Sequence, residues 1–246
     1  MKNLLVGQSG GPTAVINASL YGVVKAALAS PEIDHVYGMV NGIEGMLQDH
    51  TIDLGESLSE TELELLKLTP AAYLGSCRYK LPESLTDAFY ETIFDKFHRM
   101  EIGYFLYIGG NDSMDTVSKL SRYAAHHGSD IRFIGIPKTI DNDLVLTDHT
   151  PGYGSAAKYV AASVREIALD ASVYQQKAVT IVELMGRHAG WLTAASALAR
   201  KFEGDNPALI YLPEADFELE QFAKDLRAAY FCFQMYLISE VVISVT

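Results

Sequence analysis

A short polar turn at residues 137–143, PKTIDND, places one lysine and two aspartates within seven positions. A lysine beside a carboxylate keeps that carboxylate ionised and can also hold a phosphate group. An ionised aspartate can accept the proton of a substrate hydroxyl while the hydroxyl attacks phosphorus. In isolation, Asp141 and Asp143 favour simple turn formation. Lys138 changes that balance toward phosphoryl-transfer chemistry.

A glycine-rich turn, GQSGGPTAVIN, follows the first apolar run of the chain. Gly10 and Gly11 allow a ligand to approach the backbone closely, and Pro12 suits the first position of a helix whose amide groups would face an anion. The stretch is not a dinucleotide fingerprint, because that pattern needs glycine at Ser9 and Pro12. We expect a phosphate site here, with a ligand-free turn as the alternative.

A second glycine turn, YIGGNDSMDT, repeats this arrangement after another apolar run. Gly109 and Gly110 permit close approach, Ser113 can cap the following helix, and Asn111 and Asp112 project from the turn. A carboxylate is unexpected at a phosphate site. Either Asp112 helps to cap the helix, or it repels one particular anion and so selects the ligand.

Two further turns carry arginine. LGSCRYK contains Arg78 and Lys80, for which an ordinary surface pair is the default interpretation. ELMGRHAGW ends a predicted strand at Gly186 and Arg187, and the forked arginine donors suit a sugar or its phosphate. His188 fits a helix start better than a catalytic position.

The pattern of apolar residues predicts an α/β protein. Strands are predicted at 3–7, 104–110, 132–137, 179–186 and 208–214. Helices are predicted at 13–30, 59–68, 113–127, 156–170, 188–202 and 219–229. Apolar strands without alternation, each followed by a helix, indicate a parallel sheet covered on both faces. The polar turns then share the carboxyl edge of the sheet, where ligands bind in such folds.

Composition limits the functional classes. The chain has 246 residues, 49% hydrophobic and 20% charged, which is typical of a globular protein with one large or two modest domains. A net charge of −12 argues against a nucleic-acid surface. The two cysteines, Cys77 and Cys232, have no metal-ligand spacing and indicate a reduced, cytoplasmic protein. The final 17 residues are too short and interrupted to favour a membrane span.

Four motifs resemble the 6-phosphofructokinase family: GGPTAVIN, GGNDS, PKTIDND and MGRHAGW, in the family's order and approximate spacing. The resemblance covers residues 2 to about 217. It implies two Rossmann-like α/β/α sandwich domains with mostly parallel sheets. We expect a donor-binding domain at 1–154, a sugar-phosphate-binding domain at 155–246 that is incomplete, and a seam rich in Gly, Pro and Thr between them.

The resemblance also implies how the acceptor is bound. Asp141 corresponds to the general base that acts on the 1-hydroxyl of fructose 6-phosphate. The residues that correspond to the family's acceptor site are Thr139, Asp141, Asp143, Met185, Gly186 and Arg187.

On the donor side, Gly11 corresponds to a glycine whose amide contacts the donor phosphates, and Arg78 to an arginine near the transferred group. Ser113 joins them as a donor contact. Members that use ATP resemble GGDGS and PGTIDND, with glycine where this chain has Asp112 and Lys138. Members that use pyrophosphate carry aspartate and lysine there, so the resemblance implies pyrophosphate as the donor and assigns both residues to the reaction.

Simple electrostatics agrees with that rule. Two unit charges about 4 Å apart repel by on the order of 4 kcal/mol at an effective dielectric constant of about 20, so a carboxylate at 112 opposes the α-phosphate of ATP. A lysine at 138 can stabilise charge on the leaving phosphate, which glycine cannot do.

The family further implies Mg²⁺ as cofactor and a homo-oligomer, dimer or tetramer. Asn111 stands where the family's metal-associated aspartate is usual. Lys177 lies one position from an expected arginine of a neighbouring subunit. Family members continue beyond residue 246, so we expect a truncated chain. The alternatives are an ATP-dependent 6-phosphofructokinase and a non-catalytic phosphate-binding fragment.

Overall fold

The computed structural model describes residues 2–173, 179–232 and 239–243. By their internal contacts these form two compact units, Met1–Lys138 and Thr139–Thr246. The chain therefore divides within the PKTIDND turn, earlier than the boundary expected after residue 154. The assignment of donor and sugar binding to separate domains stays a prediction.

The first unit is built on a five-stranded sheet. Its strands are β1 (Lys2–Gln8), β2 (Ile33–Met39), β3 (Thr51–Asp53), β4 (Ile102–Gly109) and β5 (Arg132–Pro137). The strand order is β3-β2-β1-β4-β5, with every pair parallel except β2 and β3. The parallel α/β sheet and the strands expected at 3–7, 104–110 and 132–137 are confirmed.

Six helices accompany this sheet: α1 (Ala14–Leu28), α2 (Gly42–Leu47), α3 (Leu54–Ser57), α4 (Glu60–Leu66), α5 (Ala88–Arg99) and α6 (Asn111–His126). Strand β1 is buried from its second residue onward, because apolar clusters lie on both faces of the sheet. Phe105 belongs to one cluster and Val6 to the other.

Helix α5 was not predicted from the sequence. Its buried residues Tyr90, Ile93, Phe94 and Phe97 follow helical spacing and join the cluster that contains Phe105. Each such side chain contributes about 1.5–3 kcal/mol on burial, which outweighs the helix's otherwise polar composition.

The second unit contains a three-stranded parallel sheet of β6 (Val179–Glu183), β7 (Leu209–Tyr211) and β8 (Ser239–Ile243), in the order β6-β8-β7. Its helices are α7 (Tyr153–Ala171), α8 (Trp191–Ala195) and α9 (Leu219–Cys232). The helix expected at 188–202 is instead short, and a 3-10 turn at Ser196–Ala199 follows it. Its N-cap is Gly190, whose amide donates to Glu214 Oε1 at 2.7 Å.

Within the described part of the chain, no helix combines the length and the apolar character that a membrane crossing requires.

Candidate donor-phosphate site

The first unit contains a cleft of about 320 Å³ at the carboxyl edge of its sheet. It is bounded by the turn after β1, the start of α6 and the loop around Arg78. Among the residues proposed from the sequence, the cleft brings together Gly11, Arg78, Asn111, Asp112 and Ser113. These residues come from three separate stretches of the chain, so the cleft forms only when the chain folds.

The turns meet because β1 and β4 are hydrogen-bonded neighbours that run in parallel. Gly10 has φ +77°, a left-handed conformation that favours glycine, and its amide donates to the Cys77 carbonyl at 3.2 Å. A Cβ at Gly109 would lie 2.0 Å from Ser113 Oγ. Glycine is therefore required where β4 passes beneath the first turn of α6.

The amino-terminus of α6 lies at the cleft, since Asn111, Asp112 and Ser113 all line it. Its N-cap is Gly110, so the expectation that Ser113 caps this helix is wrong. Ser113 lies inside the first turn, is 3% exposed, and its hydroxyl bonds to that of Ser9. Asp112 is an exposed first-turn residue, and the helix dipole stabilises its carboxylate there.

The other glycine turn differs from expectation at one position. Helix α1 has Thr13 as its N-cap and begins at Ala14, so Pro12 precedes the helix and does not start it. Gly11 is exposed at the cleft, and a Cβ added to it would meet no heavy atom within 4 Å. The space beside Gly11 is therefore open to a ligand.

Lys138 reaches this region from the end of β5. Its Nζ donates to the Gly11 carbonyl at 2.7 Å, and its backbone amide donates to the Gly109 carbonyl at 2.8 Å. The residue is only 5% exposed. The lysine thereby joins the turns after three adjacent strands and places a cation at the residue that borders the open space.

In the second unit, residues 139–150 form a hydrogen-bonded turn around Asn142. Asn142 is buried with φ +58°; it donates to the Asp148 carbonyl and accepts from the Thr150 amide at 2.8 Å. Asp141 lies half-buried beside it, with its amide bonded to Thr139 Oγ1 at 3.1 Å, and Asp143 is exposed. Asn142 was not predicted from the sequence as a site residue, although asparagine tolerates left-handed backbone better than most residues.

The MGR stretch follows β6 in the same unit. Gly186 has φ +127°, and a Cβ there would lie 2.3 Å from the Ala189 carbonyl oxygen, so only glycine fits. Met185 and Arg187 on either side are exposed. The sugar contacts assigned to these residues stay predictions. Lys177 lies outside the described residues.

The donor set at the cleft suits Mg²⁺ held jointly with substrate phosphates. Asn111 and Asp112 bring an amide oxygen and a carboxylate, and Mg²⁺ uses one or two protein oxygens together with phosphates and water. Over the described ranges, the one group of three or more metal-ligating side chains is His35, Asp53 and Glu56, away from the cleft lining.

Buried polar contacts lie next to the cleft, and neither Tyr107 nor the Ser9–Ser113 hydrogen bond was predicted from the sequence. Tyr107 is 1% exposed, its hydroxyl lies 3.6 Å from Cys77 Sγ, and burial raises the pKa of this phenol. Ser9 and Ser113 are joined although 104 positions separate them. No local sequence signal marks such pairs, because the contacts exist only once β1 and β4 pair.

The parallel sheet, the two glycine turns and the polar cleft at its carboxyl edge define an α/β protein with a candidate anion site. The phosphofructokinase family model matches residues 3–244, and the chain belongs to that family.

Relatives of known function share this family. The chain is 46% identical over 227 residues to a pyrophosphate–fructose 6-phosphate 1-phosphotransferase of Rhodospirillum rubrum, covering 92% of this chain and 54% of the relative. It is 38% identical over 226 residues to a sulfofructose kinase of Alkalicoccus urumqiensis, covering 92% and 57%. The chain thus spans little more than half the length of these relatives.

A solved structure is also similar. The crystal structure of a pyrophosphate-dependent phosphofructokinase from Marinobacter aquaeolei matches with a TM-score of 0.87 at 42% identity. The match covers 99% of this chain and 60% of that one.

Proposed function

We propose that the protein transfers a phosphoryl group between pyrophosphate and fructose 6-phosphate, giving fructose 1,6-bisphosphate and phosphate. The observation that carries the proposal is the position of Asp112, in the first turn of α6 and on the wall of a cleft shared with Gly11 and Arg78.

The cleft's charges favour a small donor. Arg78 and the α6 amino-terminus attract phosphate, and the Lys138 ammonium at Gly11 adds a second cation. Asp112 opposes the α-phosphate of ATP at the same wall. Pyrophosphate is compact enough to take the attractive contacts while avoiding the carboxylate.

The acceptor chemistry belongs to the turn that follows Lys138. Asp141 takes the proton of the sugar 1-hydroxyl as that oxygen attacks the donor phosphorus, and Thr139 and Asp143 assist in binding the sugar. The Asn142 hydrogen bonds support this role, because they tie the residue next to the base to the backbone of Asp148 and Thr150. Met185, Gly186 and Arg187 complete the sugar contacts.

Asn111 and Asp112 are the pair that would hold Mg²⁺, which would supply positive charge against the charge that develops on the phosphates. We further propose a cytoplasmic enzyme of glycolysis and gluconeogenesis that works as a homodimer or homotetramer. Pyrophosphate and a sugar phosphate have comparable transfer potential, so the reaction runs readily in both directions.

The test is phosphoryl transfer by the polypeptide that contains this chain at its natural length. With Mg²⁺, pyrophosphate and fructose 6-phosphate we expect fructose 1,6-bisphosphate and one phosphate per turnover. Asp141→Asn should lower kcat by about 10²–10⁴-fold with little change in sugar affinity. Near-normal turnover by Asp141→Asn removes Asp141 from the base role.

Two alternative hypotheses about the function need their own assays. The sulfofructose kinase relative makes 6-sulfofructose a necessary second acceptor in the assay, and a preference for it would change the acceptor assignment. A non-catalytic phosphate-binding fragment predicts anion binding with no transfer to either sugar, which calorimetry and product analysis together would reveal.

A further inference from the structure

We propose that Lys119 is a positioning residue that holds Arg78 over the donor cleft. The inference rests on the proposed function for the identity of the donor, and on the structure for the contacts.

Arg78 lies on a segment, residues 76–83, that has no helix or strand. The regular hydrogen bonds of a helix or sheet therefore do not fix its position, and individual contacts must do so. At its amino-terminal end, Ser76 Oγ donates to the Gly10 carbonyl at 2.6 Å, and the Cys77 carbonyl accepts from the Gly10 amide. This end is tied to the glycine turn of the cleft.

The other end is tied to α6 by Lys119. The Lys119 Nζ donates to Glu83 Oε1 at 2.7 Å and to the Leu81 carbonyl at 3.4 Å. It also pairs with Asp115 Oδ2 one turn earlier, at 2.8 Å. Helix α6 starts with Asn111 and Asp112, which line the cleft, and it also contains Lys119. The same helix therefore forms one wall of the cleft and holds the segment that carries Arg78.

The lysine of this anchor is buried, although its carboxylate partners are exposed. Lys119 is 6% exposed, whereas the side chain of Glu83 is 91% exposed. Both carboxylates hold the pKa of Lys119 above its ordinary value, so the group stays charged across the working range. Leaving a buried ammonium without its partners costs free energy. The Lys119 contacts with Glu83 and Leu81 therefore favour the position of the segment against α6.

Other contacts also hold the segment, which decides what loss of Lys119 should do. Leu81 is buried, and the Tyr90 hydroxyl donates to the Pro82 carbonyl at 2.7 Å. We therefore expect loosening of residues 76–83 with the unit still folded. The functional consequence is weaker donor binding through Arg78.

The chain offers a matched control. Lys96 is another buried lysine of the same unit, 7% exposed, and its Nζ lies 2.5 Å from Asp49 Oδ1. It contacts neither the 76–83 segment nor the cleft lining in the contacts described. Lys96→Met therefore reproduces the loss of a buried lysine pair without touching the proposed anchor.

The first experiment measures hydrogen exchange of peptides covering residues 76–83 in the 246-residue chain. Lys119→Met should raise exchange there at least several-fold relative to Lys96→Met, and the milder Glu83→Gln should raise it less. Equal exchange in all three variants and the wild type overturns the proposal. This readout needs no ligand.

The second experiment measures inorganic pyrophosphate affinity, with Mg²⁺, in a double-mutant cycle. Lys119→Met should weaken binding about tenfold in the wild type and not at all in an Arg78→Met background, because it acts through Arg78. Equal weakening in both backgrounds overturns the positioning role. If the wild type binds no pyrophosphate, the donor assignment fails, and the exchange experiment alone decides the role of Lys119.

Discussion

The side-chain nitrogen of Lys138 lies 2.7 Å from the Gly11 carbonyl oxygen, although 127 positions separate the two residues. The contact joins two motifs that the sequence shows only as separate turns. It places the lysine at the part of the cleft where the space beside Gly11 is open.

Lys138→Met tests this arrangement. Loss of the ammonium should lower kcat with pyrophosphate by at least 100-fold, because positive charge no longer stabilises the leaving phosphate. The freed Gly11 carbonyl should also cost about 1–3 kcal/mol of stability, seen as a lower Tm. Lys80→Met, which removes an exposed lysine from the neighbouring loop, is the matched control and should leave both values unchanged.

Asp112→Asn and Asp112→Gly separate charge from size at the cleft wall. The carboxylate is exposed, so its repulsion of a nucleotide phosphate lies between about 1 and 4 kcal/mol at 4 Å. Both variants should bind ATP about tenfold or more tightly than the wild type, as measured by calorimetry. A gain confined to the glycine variant would mean that steric exclusion, and not charge, disfavours the nucleotide.

Asn142 should control the geometry of the base. Asn142→Ala removes both side-chain hydrogen bonds and strains a residue at φ +58°, so it should lower the free energy of unfolding by about 1–3 kcal/mol. It should also lower kcat more than sugar affinity. Asn142→Gly relieves the backbone strain and still loses the bonds; full recovery by glycine would show that the hydrogen bonds contribute nothing.

The stability of the outer strand pair β2–β3 should depend on pH through His35. A hydrogen bond to Asp53, at 2.6 Å, raises the pKa of His35 above its ordinary value of 6.5. The folded state then binds the proton more tightly than the unfolded state, so this contribution to stability is complete below pH 6.5 and disappears as the pH rises through the folded pKa.

The Tm advantage of wild type over His35→Gln should therefore be largest in mildly acidic buffer and vanish in alkaline buffer. A difference that stays constant from pH 5.5 to 9 would show that protonated His35 does not stabilise the β2–β3 edge.

The sequence predicted the strands that set the cleft, because β1, β4 and β5 are uninterrupted apolar runs that end in polar turns. It missed β2, whose Asp34 and His35 break the apolar run, and α5, where charged residues separate the buried aromatic side chains. Local patterns identify Asp112 and Lys138 as candidates. They cannot show that Ser113 bonds to Ser9, or that Lys119 reaches Glu83, since those contacts depend on tertiary packing.

Donor selectivity is the central claim, and the most direct measurement compares kcat/KM for pyrophosphate and for ATP in the natural-length polypeptide, beside an Asp112→Gly, Lys138→Gly double variant. We predict at least a hundredfold preference for pyrophosphate in the wild type and a large shift toward ATP in the double variant. Efficient turnover of ATP by the wild type, with none of pyrophosphate, would contradict the assignment of Asp112 and Lys138.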